Sequence, residues 1–333
     1  MSLNKNWFPT AVPSKPSGHY AHIILLRETT SYALFQTDGE LNTARVSKGL
    51  QNHEMMTRIT MFKRKQTTPE RLTGRELLRR YDFLSDQPYD TKNKKVVSDE
   101  NGRPICDYNV YFCMTCPDCI SYGFAIGDSG SEKSKIISDT AYSLTDYADS
   151  HEAFTLNAPY ESGTMSRQGE TTSRINEQDH VKPQVFFPSV ITIRDTTSPL
   201  FEYILGNVIR TRHYGAQTTR TGSMTNHILA IVLTDGEIFS NLKFTQSLYD
   251  ALSDQINSPN PVDLAAARQK AVELIPNLLQ EDGVTIDQLL MGENLTQFLT
   301  AFNQQLGDAS TMKALLETAF SDSRTYYLTY ISK

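Results

Sequence analysis

"RTRHYGAQTTRTGSMTNHILAIVLTDGE", Arg210 to Glu237, joins a polar, glycine-bearing run to an apolar one. Ile228–Leu233 is apolar throughout and stops at Asp235-Gly236, so it reads as a buried strand ending in a turn. The polar half carries Arg210, Arg212 and Arg220 together with Gly215 and Gly222. From Tyr203 to Thr234 there is no Asp or Glu, although the 333-residue chain has a formal charge of −6. An acid-free segment beside a core strand leaves its cations open to a polyanion. Glycine and threonine let a backbone approach a ligand closely, arginine offers bidentate donors to phosphate, and Gln217 can reach a sugar or base edge. A polar surface loop without a ligand is the competing reading.

Working outward, Ser198-Pro199 supplies an N-cap and a first-turn proline for a helix over "LFEYILGNVIR". "PQVFFPSVITIRD" before it is strand-like. Near the start, "HYAHIILLRE" (His19–Glu28) is predicted as the first strand, with "SYALFQT" as its hairpin partner through Glu28–Thr30. "EMMTRITMFKRK" reads as a further strand. Thr73 and Glu76 form a capping box that predicts a helix start, with Leu77, Leu78, Tyr81 and Leu84 on one face. "SKIISDTAYSL" is β-like, Thr245 to Lys313 is mostly helical, and "SRTYYLTYIS" closes the chain as a predicted strand. No repeat period is visible. The pattern predicts one α/β or α+β core interrupted by insertions at about 85–125, 155–183 and 245–320.

Hydrophobic content of 39% and charged content of 21% are ordinary for a globular chain. No apolar run is long enough for a bilayer and no secretory h-region opens the sequence, so a cytoplasmic protein without a membrane partner is expected. Reduced cysteines are then metal ligands rather than disulfides. Cys106, Cys113, Cys116 and Cys119 have the spacing C-x6-C-x2-C-x2-C inside a turn-rich stretch with too little apolar content to fold alone. Four soft thiols so spaced suit a structural zinc ion. An iron–sulfur cluster is an alternative, weakened because Gly123 stands where the bacterial ferredoxin run has its fourth cysteine. Reduced cysteines holding no metal are the third reading.

Arg75, Arg79 and Arg80 follow Thr73-Gly74 on the predicted helix, whose N-terminal amides would form a phosphate site. A solvated basic face is the alternative. Together, "LTGRELLRRY", "CPDCISYGFAIGD" followed by "KSKIISDTAYS", and "GAQTTRTGSMTNH" resemble, in that order, the motifs of the Cas-seven-type backbone subunits of CRISPR Cascade complexes. These belong to the RAMP superfamily, and the type I-D version is the most similar. The resemblance covers about Tyr20 to Leu233 and the last strand, with Arg220 and Gly222 on the family's Arg-x-Gly step and Thr164–His180 at its thumb.

What the resemblance implies is an RRM-like, ferredoxin-type α+β core and an RNA-binding subunit of antiviral defence. Its copies would polymerise along a CRISPR RNA beside other Cascade subunits and present the guide to target DNA or RNA. Gly74, Arg75, Arg79, Lys135, Arg167, Arg174, Arg210, Arg212, Gln217 and Arg220 become the expected RNA contacts. Related type III subunits cut target RNA with an aspartate that "KGLQNHEMM" lacks, although His53 and Glu54 stand there. A binding subunit is therefore expected rather than an enzyme. The competing functions are a metal-dependent nuclease of the same superfamily, for which Asp139 and Asp146 are the nominees, and a zinc-stapled DNA-binding regulator.

Overall fold

The run Ala21–Leu26, apolar but for His22, leaves β1 (Tyr20–Thr29) no polar face over that stretch, and the fold buries it on both sides. In this computed structural model, which describes residues 2–125, 130–155, 166–167, 170–171, 177–256 and 261–332, β1 is the middle of a five-stranded antiparallel sheet. The others are β2 (Ile136–Ser138), β3 (Phe186–Arg194), β4 (Met224–Thr234) and β5 (Ile286–Met291), in the order β5-β4-β1-β3-β2. The helices longer than one turn are α1 (Lys63–Arg80), α2 (Pro117–Tyr122), α3 (Ser198–Arg210), α4 (Asn241–Ala251), α5 (Leu264–Asp282), α6 (Gly292–Gly307) and α7 (Ala309–Tyr326).

Read as β1-α1-β2-β3-α3-β4 with the sheet order β4-β1-β3-β2, the core is the split β-α-β of ferredoxin-like and RRM-like folds. The predicted α+β class stands. Alternation along β1 sends Ile23 and Leu25 to a cluster with Leu78 of α1, Ile204 of α3, Phe302 of α6 and Leu316 of α7. Ile24 and Leu26 face the other side, against Phe244 and Leu248 of α4 and Ile275 of α5. The late helical region therefore splits over both faces, and the sheet is the middle of three layers. Opposite the Ile24–Leu25 step, β4 carries one extra residue, Leu229, so Leu229 and Ala230 both join the second cluster. His22 is the polar exception within Ala21–Leu26. Its ring bonds to Thr192 Oγ1 of β3 (2.9 Å) and Thr234 Oγ1 of β4 (2.8 Å), and burial lowers its pKa to about 4. No helix of the described residues is long and apolar enough to cross a membrane.

Several elements differ from expectation. "SYALFQT" is not the hairpin partner of β1, because β3 and β4 already occupy both its edges over nearly its full length. Ala33 bridges Val181 and Leu34 bridges Gly215 instead, and only Gln36–Thr37 pairs, with Glu40–Leu41. Helix α1 begins at Lys63 with Phe62 at its N-cap, so Thr73 and Glu76 lie inside it and form no capping box. Gly74 there is a packing residue. A Cβ would stand 2.3 Å from the Tyr203 hydroxyl and 2.4 Å from Asn207 Nδ2, so its absence lets α3 close on α1. Thr197, not Ser198, caps α3, and its hydroxyl donates to Asp322 instead of accepting from a first-turn N–H.

"SKIISDTAYSL" divides into β2 and Ala141–Tyr142, which pairs with Met55–Met61 in a separate small sheet. The edge strand β5 was hidden within a segment expected to be helical. The closing "YYLTYI" continues α7 as a π-helical turn, Tyr327–Ile331, so the last expected strand is absent. Buried Tyr326 fastens the end of α7 to the core, and this docking overrides the strand preference of Tyr and Thr. At the expected thumb, His151–Thr155 and Glu177–Val181 pair as an antiparallel stalk.

Candidate nucleic-acid interface

The acid-free loop leaves the end of α3 and is shaped by main-chain bonds. Tyr214 N–H donates to Gly222 O (2.9 Å), Gly222 N–H to Tyr32 O (2.6 Å) and Ala216 N–H to Leu34 O (2.9 Å). Gly215 and Gly222 have φ of +90° and +87°. Added Cβ atoms would lie 2.4 Å from Leu34 O and 2.1 Å from Tyr214 O. The two glycines are thus required by the chain's own packing, not by ligand approach as their type suggested.

Beneath the loop is a polar group in which Arg27, Glu70 and Tyr214 are fully buried and Asn226 partly so. Arg27 of β1 donates to Glu70 of α1 (2.9 Å) and to Asn226 of β4 (3.0 Å), and the Tyr214 hydroxyl donates to Glu70 (3.2 Å) while accepting from Asn226 (2.7 Å). Burial opposes the Arg27 charge, but Glu70 and Tyr214 outweigh it and raise the pKa. Four elements are tied at one point, which fixes the loop relative to α1.

Between the loop and the outer side of α1 runs an open groove of about 1120 Å³. Arg64, Lys65 and Arg80 of α1 line it, with Arg210 and Arg212 opposite and Gln36 of the Gln36–Leu41 turn at one side. Among the described residues, Arg64, Lys65, Arg80 and Arg212 form no ion pair, and the groove's two acids, Asp38 and Glu76, pair with none of them. Burial and then the Arg64 charge lower the Lys65 pKa. An anion in the groove would relieve that repulsion. Phe62, Pro69 and Leu72 give the same groove apolar surface.

The sequence-predicted contacts divide sharply. Arg210 and Arg212 line the groove, Arg210 also donating to Leu306 O (3.4 Å). Arg220 is exposed, and its guanidinium donates to Gln217 Oε1. Gln217 in turn donates to Gln178 Oε1 (3.1 Å). Arg75 is fully buried, bonded to Asp118 (2.6 Å) and to Cys106 O (2.6 Å), so it faces no solvent and the expectation of an RNA contact there is corrected. Gly74 lies inside the α1–α3 contact, which removes the expected phosphate site at Thr73–Arg75. Arg79 donates to Cys106 O (3.2 Å). Lys135 is tied to Glu132 (2.9 Å) and sits over the Tyr326 ring, and it does not line the groove. Arg167 belongs to a two-residue strand whose side chains lie outside the description, and Arg174 lies outside the described residues altogether. Arg64 and Lys65 were missed because "EMMTRITMFKRK" was read as a single strand. The Lys-Arg-Lys run at its end was the available signal.

The four cysteines converge on the far side of α1. All are buried, their sulfurs lie within 4.8 Å of one another, and Cys106 Sγ is 3.6 Å from Cys119 Sγ and 4.0 Å from Cys116 Sγ. Thiolates held about 2.3 Å from one tetrahedral ion sit roughly 3.8 Å apart, so the cage fits a single ion. Cys113 N–H donates to Cys106 Sγ (3.3 Å) and Cys119 N–H to Cys116 Sγ (3.5 Å). Asp118 of α2 is clamped by Arg71 and Arg75 of α1. Burial works against the Arg75 charge, but Asp118 and then the negative charge of the Cys106 and Cys116 thiolates raise its pKa. The module is not a detached insertion, since its cysteines belong to the main hydrophobic cluster.

A family profile described as Csc2 Crispr matches residues 7–316. The crystal structure of Thermofilum pendens Csc2 superposes with a TM-score of 0.59 at 15% identity, covering 98% of this chain and 96% of that one. A chain of a CRISPR RNA-guided surveillance complex aligns with a TM-score of 0.48 at 12% identity, over 91% of this chain and 98% of its own. No curated protein matches the chain.

Proposed function

The chain belongs to the Csc2 family of CRISPR proteins, and on that premise we propose that it is the crRNA-binding backbone subunit of a type I-D Cascade complex. It binds the guide by its sugar–phosphate backbone, polymerises along it beside other Cascade subunits, and holds it for pairing with target DNA or RNA. The observation that carries this reading is the groove whose cations Arg64, Lys65, Arg80 and Arg212 form no ion pair among the described residues of an acidic protein. Unpaired cations on one face of an acidic chain recruit a polyanion locally while the rest of the surface stays negative.

We read the chain as one core with insertions, the stalk His151–Thr155/Glu177–Val181 being the base of a thumb over the guide. The cysteines are assigned to structural zinc. Their sulfurs are spaced for one ion, whereas a cluster of several irons needs a wider cage. When bound, zinc supplies cross-linking of a segment with little apolar content and no redox chemistry. We read the chain as binding rather than cutting. Asp146 caps the short helix Tyr147–Ser150 by accepting from Ala148 N–H (2.9 Å) and also accepts from Thr57 N–H (3.1 Å), so it has a structural role. Among the described residues the cysteines are the one place where three or more His, Cys, Asp or Glu ligands converge.

The test is binding of labelled single-stranded RNA across a salt series. A steep salt dependence, little preference among sequences, and a weaker slope in Arg64→Ala and Arg212→Ala are expected. Tight binding without salt dependence overturns the reading.

A further inference from the structure

The side-chain amides of Gln36, Gln178 and Gln217 and the guanidinium of Arg220 form one chain of hydrogen bonds. Arg220 donates to Gln217 Oε1, Gln217 Nε2 donates to Gln178 Oε1 (3.1 Å), and Gln178 Nε2 donates to Gln36 Oε1 (2.8 Å). Three separate segments are joined in this way: the acid-free loop through Gln217 and Arg220, the thumb stalk through Gln178, and the Gln36–Leu41 turn. The chain has a fixed direction. Arginine has donors only, so Gln217 must offer it the carbonyl and turn its NH2 toward Gln178. The same logic passes through Gln178 and requires Gln36 to present its carbonyl inward. The Gln36 NH2 is left over, has no partner among the described residues, and Gln36 lines the groove.

We propose that Gln36 is an RNA-contacting residue that donates its side-chain NH2 to a backbone oxygen of the bound strand, and that Arg220, through Gln217 and Gln178, is the positioning residue that fixes this polarity. The inference rests on the groove being the guide's site. It changes the part played by two residues read from sequence as direct contacts. Gln217 has its carbonyl on Arg220 and one amide hydrogen on Gln178, so it acts by orientation. Arg220 works at the far end of the chain from the ligand. Because the stalk supplies the middle link, a displacement of the stalk would release Gln36, which couples thumb position to grip on the strand.

The backbone oxygen is either a phosphate oxygen or a ribose 2′-hydroxyl, and the experiment separates them. Labelled single-stranded RNA and the deoxy strand of the same sequence are titrated with wild-type protein, Gln36→Ala, Gln36→Glu, Arg220→Ala, Arg220→Lys and the double variant Gln36→Ala/Arg220→Ala. Loss of one neutral donor is expected to weaken RNA binding roughly three- to tenfold in Gln36→Ala, with the salt slope unchanged because no charge is removed. Gln36→Glu, which puts an anion where a donor is needed, should weaken it further. Arg220→Ala should weaken binding with an unchanged slope, and the double variant should be no worse than Gln36→Ala alone. Arg220→Lys, still a pure donor, should retain most of the affinity. A Gln36→Ala penalty that persists on the deoxy strand assigns the phosphate, and one confined to RNA assigns the 2′-hydroxyl. If wild type binds with a steep salt slope but Gln36→Ala is unchanged, this inference fails alone. It also fails if Arg220→Ala lowers the slope by about 0.7 and its effect adds to that of Gln36→Ala. A wild type that does not bind RNA removes the underlying reading and this one with it.

Discussion

Two turn-rich segments pack on opposite sides of α1, and each has its own means of holding shape. The cysteine module, Cys106 to Cys119, is held by side chains: four converging thiols, with Asp118 clamped between Arg71 and Arg75. The acid-free loop, Arg210 to Ser223, is held by main-chain bonds to Tyr32 and Leu34, by two glycines pressed against carbonyl oxygens, and by the Tyr214 hydroxyl in a buried polar network. The difference follows from what each must leave free. A segment that only braces α1 can turn all its polar chemistry inward, and there even arginines are consumed. A segment that offers a cation to a ligand must be shaped by its backbone, so that Arg212 stays at the surface.

The strongest test of this contrast is Cys116→Ser. With structural zinc as the staple, elemental analysis should give about one zinc per wild-type chain and none in the variant. The loss in unfolding free energy should reach several kcal/mol, because metal binding and folding of such a site are one process. Since the cysteines share the main hydrophobic cluster, the whole domain should weaken, not the module alone. A metal-free wild type of unchanged stability would break the comparison at its first term.

Gly222→Ala tests the other term. Its φ of +87° and a Cβ 2.1 Å from Tyr214 O should cost about 3 kcal/mol by chemical unfolding. Metal content should remain intact, showing that the two devices are independent. If chelation protects the variant's loop or the variant loses metal, the segments are coupled through α1.

Both segments rest on the same sheet, and acid should reveal it. The folded pKa of His22 is about 4 against an ordinary value of 6.5, so folding favours the neutral ring. Its contribution is fully present above pH 6.5 and is lost as pH falls toward 4, amounting to about 3 kcal/mol. Unfolding curves between those limits, with imidazole titration followed by NMR, should show both segments lost together. A His22 that titrates near 6.5 in the folded protein would refute the burial argument.

The smallest effect is expected from Arg212→Ala, which should leave stability unchanged, weaken RNA binding a few-fold and reduce the salt slope by about 0.7. Lys135→Ala, already tied to Glu132 and Tyr326, should leave the slope unchanged. Equal slope changes in the two would erase the distinction between bracing and binding cations.

The sequence by itself determined the apolar strands β1, β3 and β4, helix α3, the cysteine spacing and the acid-free loop. In each the signal lies in neighbouring residues: apolar runs, a C-x2-C step, an absence of acid over one continuous window. Only the tertiary structure decided the rest. Arg75 looks like a free cation in one dimension, and its partner Asp118 arrives from 43 residues away; Lys135 has Glu132 close by, but the Tyr326 ring beneath it comes from 191 residues away. Gly74 resembles a helix boundary until α3 is laid against it, and "YYLTYI" resembles a strand until Tyr326 is docked in the core. Whether a polar side chain braces or binds depends on desolvation and on the charge that meets it, and both are set by contacts between distant parts of the chain.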